Sequence, residues 1–111
     1  MGDSSELLLE ILALVASGRF LISRHGLKEL GADQISLAEA VSGVADAIVV
    51  ENYSDAFKGP RLLVLQYDDL ERPFHVVWGT PKLFKPVAVL ITAYRPDLKR
   101  WSPDFMQRKP Q

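Results

Sequence analysis

The feature that most constrains this chain is a change of hydrophobic period near residue 47. Before it, apolar residues return at helical spacing. After it come the β-branched or aromatic runs "AIVVENY", "RLLVLQY", "PFHVVWGT" and "VAVLITAYR", each bounded by Gly, Pro, Asp or Asn. Helices followed by strands predict an α+β fold with the helices on one face of the sheet. The short spacings between runs predict a four-stranded antiparallel meander.

Upstream of the change, Glu6, Glu10, Ala13 and Ser17 fall on one stripe, with Leu7, Leu8, Ile11, Leu12 and Val15 around the rest. That is an amphipathic helix. Asp3 and Glu6 resemble a capping box, and Gly18 suits the stop. Ser23 is a good N-cap for a short second helix ending at Gly31, which puts His25 in its first turn. Ser36 and Glu39 form a second capping box that opens a helix ending near Gly43.

The 111 residues fit one domain. Residues 1–18 read as a helical extension, 19–98 as the α+β domain and 99–111 as a basic tail. The final stretch "DLKRWSPDFMQRKPQ" has no clean period and is expected to be extended or partly ordered, pinned by Trp101 and Phe105. The net charge of −1 hides an asymmetry. Residues 1–81 carry six Lys/Arg against twelve Asp/Glu, whereas residues 82–111 carry seven against two. A basic end of this kind attracts a phosphate backbone, covers an acidic partner, or simply stays solvated.

The absence of cysteine excludes disulfides, thiolate metal sites and a cysteine nucleophile. The apolar N-terminus starts with acids instead of Lys or Arg and is broken by Glu10, which does not fit a signal peptide or a membrane span. A cytoplasmic protein with no membrane partner is expected.

Chemistry then rests on two histidines, His25 and His75, and on the "TAYRP" run. Alternation places Phe74, Val76 and Trp78 on one face of their strand and His75 on the other. In the last run, Thr92 and Tyr94 share a face and Arg95 takes the opposite one. The register that would bring His75 beside Thr92 and Tyr94, or beside Arg95, is left open, because a one-residue slip exchanges the faces. Two histidines around one phosphate can serve as base and acid, one taking the ribose 2′-hydroxyl proton and the other protonating the leaving 5′-oxygen. An arginine, Arg24 or Arg95, would hold the phosphate. Lys99 and Arg100 extend the candidate substrate contacts. The competing reading makes His75 a hydrogen-bonded structural residue and His25 a solvent-exposed one. Two histidines without a third ligand do not make a zinc site, so neither metal nor cofactor is expected.

Four pieces in order carry a family resemblance: His25, "QISLAEAV" at 34–41, "RPFHVVWG" at 72–79 and "TAYRPD" at 92–97. Over about residues 20–105 the chain resembles a family of small bacterial and archaeal domains of unknown function. The resemblance implies a fold similar to that of RelE-, MqsR- and BrnT-type toxins. The resemblance implies a RelE-like α+β architecture and a metal-independent endoribonuclease held by a cognate antitoxin. It also implies His25, His75, Thr92 and Tyr94 on one site. A non-catalytic binding module of the same fold, using the sheet face and the basic tail to hold a protein, is the alternative.

Overall fold

The computed structural model describes residues 4–53, 55–81 and 85–110. Helix α1 (Ser4–Ala16) is followed by strand β1 (Phe20–Ile22) and helices α2 (Arg24–Ala32) and α3 (Leu37–Ser42). A 3-10 turn (Gly43–Asp46) leads into β2 (Ile48–Tyr53), β3 (Arg61–Tyr67), β4 (Pro73–Gly79) and β5 (Ala88–Tyr94). The fold is α+β, as the change of period implies.

The sheet differs from the expected meander. It has five strands in the order β1-β5-β4-β3-β2 and is mixed, because β1 runs parallel to β5. The fifth strand is only "FLI", too short to show a period of two. It holds its place by pairing Phe20 with Ala88 and Ile22 with Leu90. The remaining pairs are antiparallel.

The helical starts form for the reasons the sequence suggests. The Ser23 hydroxyl accepts the Gly26 N–H at 2.8 Å, satisfying a donor the first helical turn would otherwise strand. It also donates to the Ile91 carbonyl at 2.8 Å, tying the α2 cap to β5. The Ser36 hydroxyl accepts the Glu39 N–H, but the Glu39 carboxylate turns away and accepts the Asp69 N–H at 2.8 Å. That second box is therefore half closed, and its carboxylate joins α3 to the β3–β4 turn. Gly18, at φ 79°, ends α1 in the left-handed conformation. Asp3, the first half of the other expected box, lies outside the described residues.

The core fills the space between helices and sheet. Leu7 and Ile11 of α1 and Leu30 of α2 meet Leu62, Val64, Phe74, Val76, Trp78 and Leu90. Phe74, Val76 and Trp78 face the helices, as alternation predicts. Leu90 joins them, although simple alternation groups it with Thr92 and Tyr94. A bulge is responsible: Val77 pairs with Thr92 but Trp78 pairs with Leu90, so Ile91 is the extra residue. Polar groups in the core are matched. The Trp78 indole donates to Gln66 Oε1 at 3.1 Å, and Gln66 Nε2 donates to the Ala40 carbonyl at 2.9 Å.

The C-terminal segment, expected to be extended or partly ordered and pinned by Trp101 and Phe105, is ordered, and both residues do pin it. Trp101 bridges to Arg108 and is almost fully buried against the second face of the sheet. Among the described residues, no helix is long and apolar enough to cross a membrane.

Candidate functional site

The β4–β5 register settles which residues share His75's face. His75 pairs with Tyr94 and Val77 with Thr92, so all four point away from the helices. On the same face, His75 is opposite Leu65 of β3, and Glu51 of β2 is opposite Leu63. His75, Thr92 and Tyr94 are therefore brought together, while Arg95 is not.

Acid–base work at His75 requires a ring open to substrate. The ring is instead fully buried, because the C-terminal segment lies over it. The Trp101 ring packs edge-on at 4.5 Å between centroids and the Tyr94 ring at 5.3 Å. Nε2 lies 2.9 Å from the Phe105 carbonyl, and Nδ1 lies 3.1 Å from the Tyr94 hydroxyl. A carbonyl oxygen can only accept, so Nε2 carries the proton in the neutral ring. Nδ1 is then the acceptor, and the Tyr94 O–H donates to it. The chain runs in one direction, from Tyr94 O–H to His75 Nδ1 and from His75 Nε2–H to Phe105 O. Burial lowers the imidazole pKa from 6.5, partly opposed by the Phe105 carbonyl and the Glu51 carboxylate. Burial also pushes the Tyr94 phenol up to about 12.

The segment over His75 is latched at its far end. Arg108 donates to both carboxylate oxygens of Glu51, at 2.7 and 3.0 Å. Its guanidinium stacks over Trp101 at 4.7 Å. This fork, more than any other contact, holds the Glu51 carboxyl below its ordinary pKa, against the effect of burial. The Tyr53 hydroxyl donates to the same carboxylate.

Two clefts open beside this cluster. One, about 350 Å³, is lined by Tyr94, Arg95, Asp97, Arg100, Trp101 and Arg108. Arg108 is committed to Glu51. Arg95 is committed more deeply: it meets the Asp68 carboxylate at 3.0 Å, the Pro73 and Gln34 carbonyls at 3.2 Å, and the Phe74 ring by a cation–π contact. Its backbone N–H also donates to Asp33 at 2.7 Å. Arg95 thus acts chiefly as a clamp on the β3–β4 turn, not as the phosphate ligand expected. Arg100 is exposed and makes no side-chain ion pair among the described residues. The Asp97 carboxylate accepts the Lys99 N–H at 2.9 Å, which occupies one side of this otherwise basic cleft. The second cleft, about 560 Å³, is lined by Tyr53, Asp55, Arg61, Val77, Ile91 and Thr92 among others.

The two-histidine arrangement is not assembled. His25 sits on α2, whose Gly26 backbone touches Leu90 on the helix-facing side of the sheet. Its side chain is 63% exposed and lies 4.0 Å from Glu29. The sheet separates it from His75, so the two rings cannot flank one phosphate. Arg24, at the start of α2, is likewise on the helical layer. Lys99 is exposed in the turn beside Arg100.

The residues overlooked were Glu51, Tyr53 and the Phe105 carbonyl. An acid inside the apolar run "AIVVENY" was the available signal for Glu51. Arg108 was legible only as charge, since its partner is fifty-seven positions away. No sequence pattern marks a backbone carbonyl.

These features define a small α+β domain with a buried imidazole–phenol pair that reaches an arginine-lined cleft. The chain belongs to the family described as a domain of unknown function, DUF4258, whose model matches residues 22–95. No match was found among curated proteins or among solved structures.

Proposed function

We propose that the protein is a toxin-like endoribonuclease of RelE-like architecture that cleaves RNA without a metal ion, controlled by an antitoxin protein. The observation that carries this reading is the one-way hydrogen-bonded chain from Tyr94 through His75 to Phe105, which starts at a cleft lined by Tyr94 and arginines. The Tyr94 O–H is already aimed at His75, which leaves its oxygen lone pairs for a donor in the cleft. A ribose 2′-hydroxyl placed there passes its proton to Tyr94 as Tyr94 passes its own to His75 Nδ1. The 2′-oxygen attacks phosphorus, the bond to the 5′-oxygen breaks, and solvent protonates the leaving group. The products are a 2′,3′-cyclic phosphate and a 5′-hydroxyl. Arg100, which makes no ion pair among the described residues, offsets the charge that builds on the phosphate. Tyr94 is the catalytic residue, and His75 acts through it.

The test is an RNA pool incubated in EDTA with wild type, Tyr94→Phe and Arg100→Ala. The expected result is 5′-hydroxyl fragments from the wild type. Tyr94→Phe should lose about 10²-fold or more, in the range of general-base effects, with an unchanged circular dichroism spectrum. Equal cleavage by Tyr94→Phe would overturn the reading.

A second reading, a non-catalytic binding module, is favoured by one observation. His75 is buried and both its nitrogens already have partners. It predicts RNA or protein binding with no cleavage by any of the three proteins.

A further inference from the structure

The larger cleft has no part in the proposed proton path, yet it lies on the same face one residue pair further along. The His75–Tyr94 and Val77–Thr92 pairs are adjacent on that face, two residues apart along each strand. Two residues of strand span about 7 Å, a length a ribose bridges between its phosphate and its base. Glu51 joins the two clefts physically, because it accepts from Arg108 on one side and from Tyr53 on the other.

The walls of this cleft suit a flat heterocycle. Val77 and Ile91 supply an apolar floor, and the half-open Tyr53 ring supplies an aromatic wall. Base–aromatic stacking accepts any nucleobase and is worth about 1–3 kcal/mol. The polar lining is more selective. Arg61 and Asp55 place a guanidinium and a carboxylate in one cleft, and neither is ion-paired with another described residue. Guanine alone among the four bases presents two adjacent N–H donors, N1–H and N2–H, which a carboxylate accepts as a pair. Its other edge presents O6 and N7, the acceptors an arginine fork matches.

We infer that the cleft lined by Tyr53, Asp55, Arg61, Val77 and Thr92 is a nucleobase subsite that selects guanine in the substrate RNA. This inference rests on the proposed RNA-directed activity, so its test reads binding instead of cleavage. The ¹⁵N-labelled full chain is titrated separately with the 3′-monophosphates of guanosine, adenosine, cytidine and uridine. Guanosine 3′-monophosphate should bind about ten-fold or more tightly than the others and move the amides of Tyr53, Val77 and Thr92. Asp55→Asn should reduce that preference to less than about three-fold while keeping the backbone spectrum.

Equal affinity for all four nucleotides, or shifts confined to Tyr94 and Arg100, would overturn the subsite and leave the cleavage reading standing. Guanosine-selective shifts at Tyr53, Val77 and Thr92, joined to an absence of RNA cleavage, would keep the subsite and remove the nuclease. No shift with any nucleotide would overturn both.

Discussion

His75 and Asp68 are both buried, and each makes stability depend on pH in a different window. In the unfolded chain His75 protonates near 6.5, whereas in the fold burial lowers that pKa. The unfolded state therefore binds more protons below 6.5. The contribution of neutral His75 is complete above 6.5 and is lost as pH falls through the lower folded value. Asp68 behaves similarly further down. Burial alone would raise its pKa. The Arg72 and Leu70 backbone N–H groups and the Arg72 guanidinium outweigh burial and hold the carboxyl at about 2, against 3.8 in the free residue. Urea midpoints measured from pH 8 to pH 2 should be flat above about 6.5, fall below it, and fall again between about 4 and 2. A midpoint that rises on acidification from 7 to 5 would contradict the neutral buried imidazole. Alternation alone showed that His75 turns away from the helices. Its burial was not legible, because the cover comes from a segment without any period.

At the scale of elements, α2 is held against β5 by a close approach and a cap. A Cβ on Gly26 would lie 2.9 Å from both the Leu90 carbonyl oxygen and its Cδ2, and a carbonyl in a ladder cannot step aside. Gly26→Ala should therefore cost about 1–3 kcal/mol, as overpacked sites do. Gly31, on the same helix, has nothing within 4 Å of an added Cβ. Gly31→Ala should be neutral or stabilise by up to about 1 kcal/mol. Thermal unfolding of the two variants checks the contrast, and equal effects would show that helix propensity, not packing, decides. The helix starts were readable because Ser23 and Ser36 act within three residues of themselves. Strand β1 and the Ile91 bulge were not, because a three-residue strand has no measurable period and a bulge appears only when its partner strand is aligned. The bulge is what turns Leu90 inward while Thr92 and Tyr94 stay with His75.

The whole molecule places its helices on one face of the sheet and its C-terminal segment on the other. That segment is attached by Trp101, by the Phe105 carbonyl and by the Arg108–Glu51 fork. Arg108→Gln removes the charge that closes the latch. Amide exchange at residues 101–109 should then quicken while β3 and β4 keep their protection, since those strands lie in the core. Uniform loss of protection would mean the segment and the sheet open as one unit. On the proposed RNA-directed reading, affinity for RNA should depend weakly on salt. If Lys99 and Arg100 contact about two phosphates, the slope of log K against log salt is about −1.4 for a single strand.

The direction of the Tyr94–His75–Phe105 chain is the claim on which the proton path depends. Long-range ¹H–¹⁵N spectra of the His75 ring, recorded from pH 8 to pH 5, measure it directly. The account predicts a protonated Nε2, an unprotonated Nδ1, and a ring that titrates below 6.5. A protonated Nδ1 at neutral pH, or titration at or above 6.5, would contradict it. With Nδ1 protonated, Tyr94 would be accepting from His75, and His75 could not take the Tyr94 proton.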